Sequence, residues 1–137
     1  MSARTKARKR ALDVLFSADV RDISLTEALE AEAERAVNEP DRASSWLYAR
    51  EIIDGVIDHG VEIDETIETY SRGWSLERMP AVDRAIVRIA VWEILYNTEV
   101  PAAVAVDEAV EAAKTLSTEE SAGFVNGLLA TIASTAN

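Results

Sequence analysis

The sequence predicts an all-α protein of about seven helices. Three observations carry that prediction. Apolar residues recur at three- and four-residue spacing along nearly the whole 137-residue chain. There are only five glycines and three prolines, which suits long helices joined by short turns. No Asn-Gly or Asp-Gly pair stands between alternating segments, since Asp54-Gly55 and Asn126-Gly127 both fall inside helical patterns.

Each element has its own signal. A first helix over roughly residues 3–20 carries the stripe Ala7, Ala11, Val14, Leu15 and Ala18. Ser24 and Glu27 form a capping box for a second helix at about 25–38. Pro40 breaks the pattern, and a third helix follows with Trp46, Ile53, Val56, Ile57 and Gly60 near one face. Ile63, Ile67 and Tyr70 mark a shorter fourth. The stretch Arg72 to Pro80 is a connection, and Pro80 is placed to open a fifth helix carrying Val82, Ile86, Ile89, Ala90 and Ile94. Pro101 opens a sixth, with Val104, Val106, Val110 and Ala113. Ser117 and Glu120 make a second capping box for a seventh helix through about Ser134. Gly55 and Gly127 each cost about 1 kcal/mol relative to Ala in a helix, and close helix packing is the expected reason for both.

Charge is distributed unevenly. The first ten residues hold Arg4, Lys6, Arg8, Lys9 and Arg10 and no acid, whereas the rest of the chain holds nine basic residues against 25 acidic ones. Cations at the start of a helix oppose its dipole, each forgoing roughly 0.3–1 kcal/mol. A polyanion such as nucleic acid is one partner that would justify them. On a helical projection Lys6, Lys9 and Arg10 lie away from the apolar stripe, and Arg4 and Arg8 flank it. Phe16 falls on the outer side too, and an aromatic beside cations suits single-stranded nucleic acid, phosphates on the cations and a base on the ring. The competing reading is a solvated arm with Phe16 packed on a neighbouring helix.

Enzymatic chemistry finds little support. There is no cysteine, hence no thiolate site or disulfide. His59, the one histidine, sits in a helical stretch among acids, where a helix-end or surface role is expected. No Gly-rich phosphate loop, metal-ligand cluster or nucleophile elbow is present, and carboxylate pairs such as Glu108/Glu111 and Glu119/Glu120 read as solvated faces. No catalytic residue, metal or cofactor is therefore assigned. No apolar run approaches the roughly 20 residues of a membrane span, and Asp13, Asp19, Arg21 and Asp22 interrupt any secretory core. A cytoplasmic protein is expected.

The fifth helix sets Asp83, Arg84, Arg88 and Glu93 among apolar neighbours. An internal ion-pair set is expected, Arg88 with Glu93 or Glu108, while Arg84 is free to face a partner or a phosphate. In Ser117–Leu129, Phe124, Val125, Leu128 and Leu129 form an apolar set. Asn126 within it either faces out or satisfies nearby backbone.

Four segments together resemble the NusB family of bacterial transcription antitermination factors: ARKRALDVLF (Ala7–Phe16), MPAVDRAIVRIAVWEIL (Met79–Leu95), VPAAVAVDEAVEAAK (Val100–Lys114) and ESAGFVNGLL (Glu120–Leu129). The resemblance is strongest from Trp74 onward and weakest over residues 22–48. It implies two packed helical bundles within one RNA-binding domain, residues 1–137, with halves at about 1–62 and 63–137. It implies binding of boxA RNA, a short single-stranded element of ribosomal RNA operon transcripts, together with NusE, a small-subunit ribosomal protein. It further implies a place in the RNA polymerase antitermination complex with NusA and NusG.

By position, the resemblance gives Arg4, Lys6, Arg8, Lys9, Arg10, Phe16 and Phe124 to RNA. It gives Asp83 and Glu120 to the region where RNA and NusE meet, with Arg84 beside them. Two lysines in the arm depart from an all-arginine run, which weakens bidentate phosphate geometry. Two other readings stay open. One is the RNA-binding domain of ribosomal RNA cytosine methyltransferases, for which no catalytic domain follows before Asn137. The other is a helical protein–protein adaptor. A homodimer through Trp74, Trp92 and the third helix is also open.

Overall fold

The computed structural model describes residues 2–40, 43–72 and 74–136. Seven α-helices and no strand are found among them: α1 (Ala3–Arg21), α2 (Leu25–Val37), α3 (Ala43–Asp58), α4 (Gly60–Tyr70), α5 (Ala81–Tyr96), α6 (Ala102–Leu116) and α7 (Glu119–Thr135). A 3-10 turn, Leu76–Arg78, lies in the connection before α5; Gly73 of that connection is outside the described residues.

The helix ends follow local chemistry. Ser2 caps α1, its hydroxyl oxygen accepting from the Thr5 N–H at 3.0 Å. Asp22 closes α1 in the left-handed region at φ 55°, a conformation that short polar side chains tolerate, and its N–H returns to the carbonyls of Ala18 and Asp19. Ser24 caps α2 through the Glu27 N–H at 3.1 Å, as expected. The cap of α7 is one residue later than expected. Thr118, not Ser117, accepts from the N–H of Ser121 at 3.0 Å. Pro80 and Pro101 stand at the cap positions of α5 and α6 with extended backbones, so each helix begins one residue beyond its proline.

Packing centres on α1 and α5. Helix α1 lies against α2, α3 and α5, and α5 against α1, α3, α4, α6 and α7. One contiguous apolar core runs through all seven, with Ile52, Ile53, Ile63, Ile67, Val87 and Leu129 fully buried. No described helix is long and apolar enough to cross a membrane.

The two glycines behave differently. A Cβ on Gly55 would fall 1.9 Å from Nε1 of Trp92, so the indole lies directly on the α3 backbone, and Trp92 belongs to the core. Gly127 meets nothing within 4 Å. Close packing therefore explains Gly55 and not Gly127. Overpacking of this kind costs about 1–3 kcal/mol, so Gly55→Ala should lower stability by that amount in urea unfolding. Gly127→Ala should raise it by about 0.4–1 kcal/mol.

Candidate functional site

The basic arm divides along α1. Arg10 stands three residues after Ala7 and four before Val14, and it is buried with them at 5% exposure, contrary to the outward placement expected. Its guanidinium bonds Glu32 at 3.1 Å and Glu39 at 3.4 Å and lies 5.1 Å from the Trp46 ring centroid. Arg8 also turns inward. Its Nε lies 3.0 Å from both Glu93 oxygens and its Nη1 2.8 Å from Glu108. Lys9 pairs on the surface with Asp13 at 2.7 Å, and Arg4 reaches Glu99 at 3.5 Å while covering the Tyr48 ring at 4.8 Å. Lys6 is exposed and makes no ion pair among the described residues. Only Arg4, Lys6 and Lys9 thus present charge to solvent.

Behind the arm lies a closed polar network. Glu93 is 1% exposed. Besides Arg8, its carboxylate accepts the Tyr48 hydroxyl, and Tyr48 accepts from the Asn97 side-chain amide at 3.0 Å. Thr5 donates its hydroxyl to Glu108, and the Glu99 N–H donates to Asn97 at 3.1 Å. Burial disfavours charge on Arg8, but the bond to Glu93 and the charges of Glu93 and Glu108 outweigh it and raise its pKa. Burial, then the hydrogen bond and charge of Glu93, push the Tyr48 phenol well above its usual 10. Tyr48 and Asn97 carry no helix-face signal that would have nominated them. Glu93 does, as an acid between Trp92 and Ile94.

The charges of α5 are also internal. Arg84 bonds Asp19 at 2.7 Å and donates to the carbonyls of Leu76 at 3.0 Å and Met79 at 2.7 Å. It staples the connection to α1 and α5 instead of facing a partner. Arg88 takes Asp64 at 2.9 Å, with Asp19 at 3.9 Å; the expected Glu93 and Glu108 are held by Arg8. Asp83 is fully buried in the first turn of α5, and neither carboxylate oxygen has a hydrogen-bond partner among the described residues. The helix dipole favours an acid there, but the side chain is not at the surface where a partner would meet it.

Other site candidates do face outward. Phe16 is 40% exposed, about 18 Å along the helix from Arg4 at 1.5 Å per residue. Glu120 is exposed at the start of α7, and Asn126 faces out. Phe124 is half-buried and meets Trp74 at 4.8 Å between ring centroids, a neighbour that sequence reasoning did not pair with it. Phe16 and Phe124 make no ring contact with each other. Between α1 and α6, above α5, runs an apolar groove of about 250 Å³. Leu12, Ile86, Ile89 and Ala109 line it, and Lys9, Glu108 and Glu111 edge it.

The NusB family signature matches residues 5–134. The chain belongs to the NusB family. It is 74% identical over 133 residues to the transcription antitermination protein NusB of Leifsonia xyli subsp. xyli, covering 97% of this chain and 92% of that one. The NusB of Clavibacter sepedonicus is 63% identical, covering 97% of each chain. Among solved structures, NusB of T. maritima superposes with a TM-score of 0.82 at 35% identity, over 96% of this chain and 90% of that one. NusB crystallised with NusE and double-stranded RNA gives 0.81 at 27% identity, over 98% of each. The all-helical NusB fold expected from the sequence is thereby established.

Two outcomes follow for the network behind the NusB arm. Removing one member of a buried pair costs about 3–5 kcal/mol, so Arg8→Ala should lose that much in denaturant unfolding. Tyr48→Phe, which removes a donor from the buried Glu93 carboxylate, should cost about 1.5–3 kcal/mol at neutral pH. Because the folded pKa of Tyr48 is raised, its contribution is complete below pH 10.0 and declines as pH rises above that value. The stability gap between wild type and Tyr48→Phe should therefore be flat to about pH 9 and narrow above about pH 10.

Proposed function

We propose that this chain is a non-enzymatic, cytoplasmic transcription antitermination factor that binds boxA-type single-stranded RNA together with NusE. The observation that carries this reading is the exposed cationic end of α1 on an otherwise acidic molecule. Arg4, Lys6 and Lys9 stand toward solvent there, with Phe16 further along the helix. Membership of a family whose relatives are antitermination proteins, and the solved NusB–NusE–RNA assembly, support the same assignment. Phosphates meet Arg4, Lys6 and Lys9, and bases stack on Phe16 and on Phe124 beside Trp74. Arg8 and Arg10 act on RNA indirectly, by fixing the pose of α1.

NusE, a basic ribosomal protein, fits the acidic body and the apolar groove between α1 and α6, and Glu120, exposed at the start of α7, adds to that acidic surface. In this reading the N-terminal half, about residues 1–62, supplies the RNA end. The C-terminal half, about 63–137, completes the NusE surface. The assembled pair then joins RNA polymerase with NusA and NusG.

Titration of boxA RNA against a scrambled RNA, with and without NusE, tests specificity; equal affinity for both under all conditions would overturn it. Arg4→Ala and Lys6→Ala should each weaken RNA binding and flatten the dependence of log K on log salt by about 0.7, with the melting temperature unchanged for Lys6→Ala. NusE association should slow as salt rises, and a salt-independent rate would remove the steering role of the acidic body.

A further inference from the structure

We propose that the concave face between α3 and the C-terminal end of α5 is a docking site for an Arg- or Lys-bearing peptide segment of a protein partner. This proposal stands independently of the RNA reading and uses none of its residues. The concavity measures about 490 Å³ and is floored by Gly55 and Trp92.

Three independent features specify its occupant. Trp92 is 6% exposed, and its indole N–H has no acceptor among the described residues. Nε1 is not among the buried atoms left without a partner, so it is open to solvent and to a ligand. The Nε1 edge fills the space a Gly55 side chain would take, and Gly55 and Trp92 both line the concavity. A ligand carbonyl there would complete it.

The second feature is the wall. His59 and Tyr96 stack with ring centroids 3.8 Å apart and planes 9° from parallel. Tyr96 remains exposed, and Leu47 on the opposite side is 71% exposed. An aromatic face attracts a guanidinium or ammonium, and an apolar neighbour accommodates its methylene stem.

The third is charge. Glu51, Asp54 and Asp58 rim the concavity against a single cation, Arg50, itself 3.7 Å from Asp54. Glu62 adds a further negative charge near Tyr96. Nucleic acid could supply an acceptor but brings phosphates against these acids. A polyamine supplies cations but no acceptor. A basic peptide supplies both, through its backbone carbonyls and its side chains.

The test uses the intact protein labelled with 15N and a capped octapeptide of alternating Gly and Arg. The same peptide with citrulline for Arg, and spermine, serve as controls. The Arg peptide should shift the Trp92 indole resonance saturably. The citrulline peptide should bind more weakly, and spermine should leave that resonance in place. Tyr96→Ala should weaken the Arg peptide by roughly threefold, a cation–π contribution. Glu51→Gln combined with Asp58→Asn, both exposed positions, should weaken it similarly and keeps the test decisive where Tyr96→Ala lowers the melting temperature. Shifts spread over all acidic surfaces without saturation at Trp92, or wild-type affinity in the Glu51/Asp58 double variant, would overturn the proposal.

Discussion

Glu93 places a carboxylate inside the apolar run of α5, and the requirements of that group hold three other helices in register. A carboxylate removed from water loses several kcal/mol of hydration, recovered only if its oxygens are saturated. Here α1 contributes Arg8 and α3 contributes the Tyr48 hydroxyl. Arg8 extends the network to Glu108 on α6, which also takes the Thr5 hydroxyl. Apolar packing alone would let these helices slide by small amounts. Directional bonds to one buried carboxylate do not.

The same logic governs the far end of α1. Asp19 receives Arg84 and lies near Arg88, while Arg84 also gathers the carbonyls of the connection that precedes α5. An irregular segment, which cannot satisfy its own carbonyls, is thus fixed by a side chain from the helix it introduces. The arm and the connection, both charged and apparently free in the sequence, are parts of the frame on which the outward-facing residues are mounted.

The helices were legible because their signals are local: apolar spacing, prolines at three breaks, and capping residues. The one-residue slip at α7 arose because Ser117 and Thr118 are chemically equivalent candidates, and only backbone geometry chooses between them. The seven-helix NusB fold was likewise readable from four segments of text. The interior placement of Arg10 was not, although its spacing from Ala7 and Val14 matches the stripe. A basic residue reads as surface until the acids opposite it, Glu32 and Glu39 on another part of the chain, are known. Asp83 misled for the same reason, since its burial depends on how α5 meets its neighbours. Pairing Phe124 with Trp74 needed the connection before α5 to fold back, which no periodicity encodes.

The arm's mixed lysine and arginine content acquires a different meaning from its geometry. Lysine stands at positions 6 and 9, where the side chain is exposed and a mobile point charge suffices. Arginine stands at 8 and 10, where one planar group must serve two acids at once. The arm is therefore two interleaved alphabets with different tolerances. Arginine at position 6 or 9 would leave the frame intact, whereas a lysine ammonium at position 8 or 10 lacks the planar fork that serves two acids there. Counting positive charge along such a segment overstates what is available for recognition and understates what is reserved for holding the molecule together.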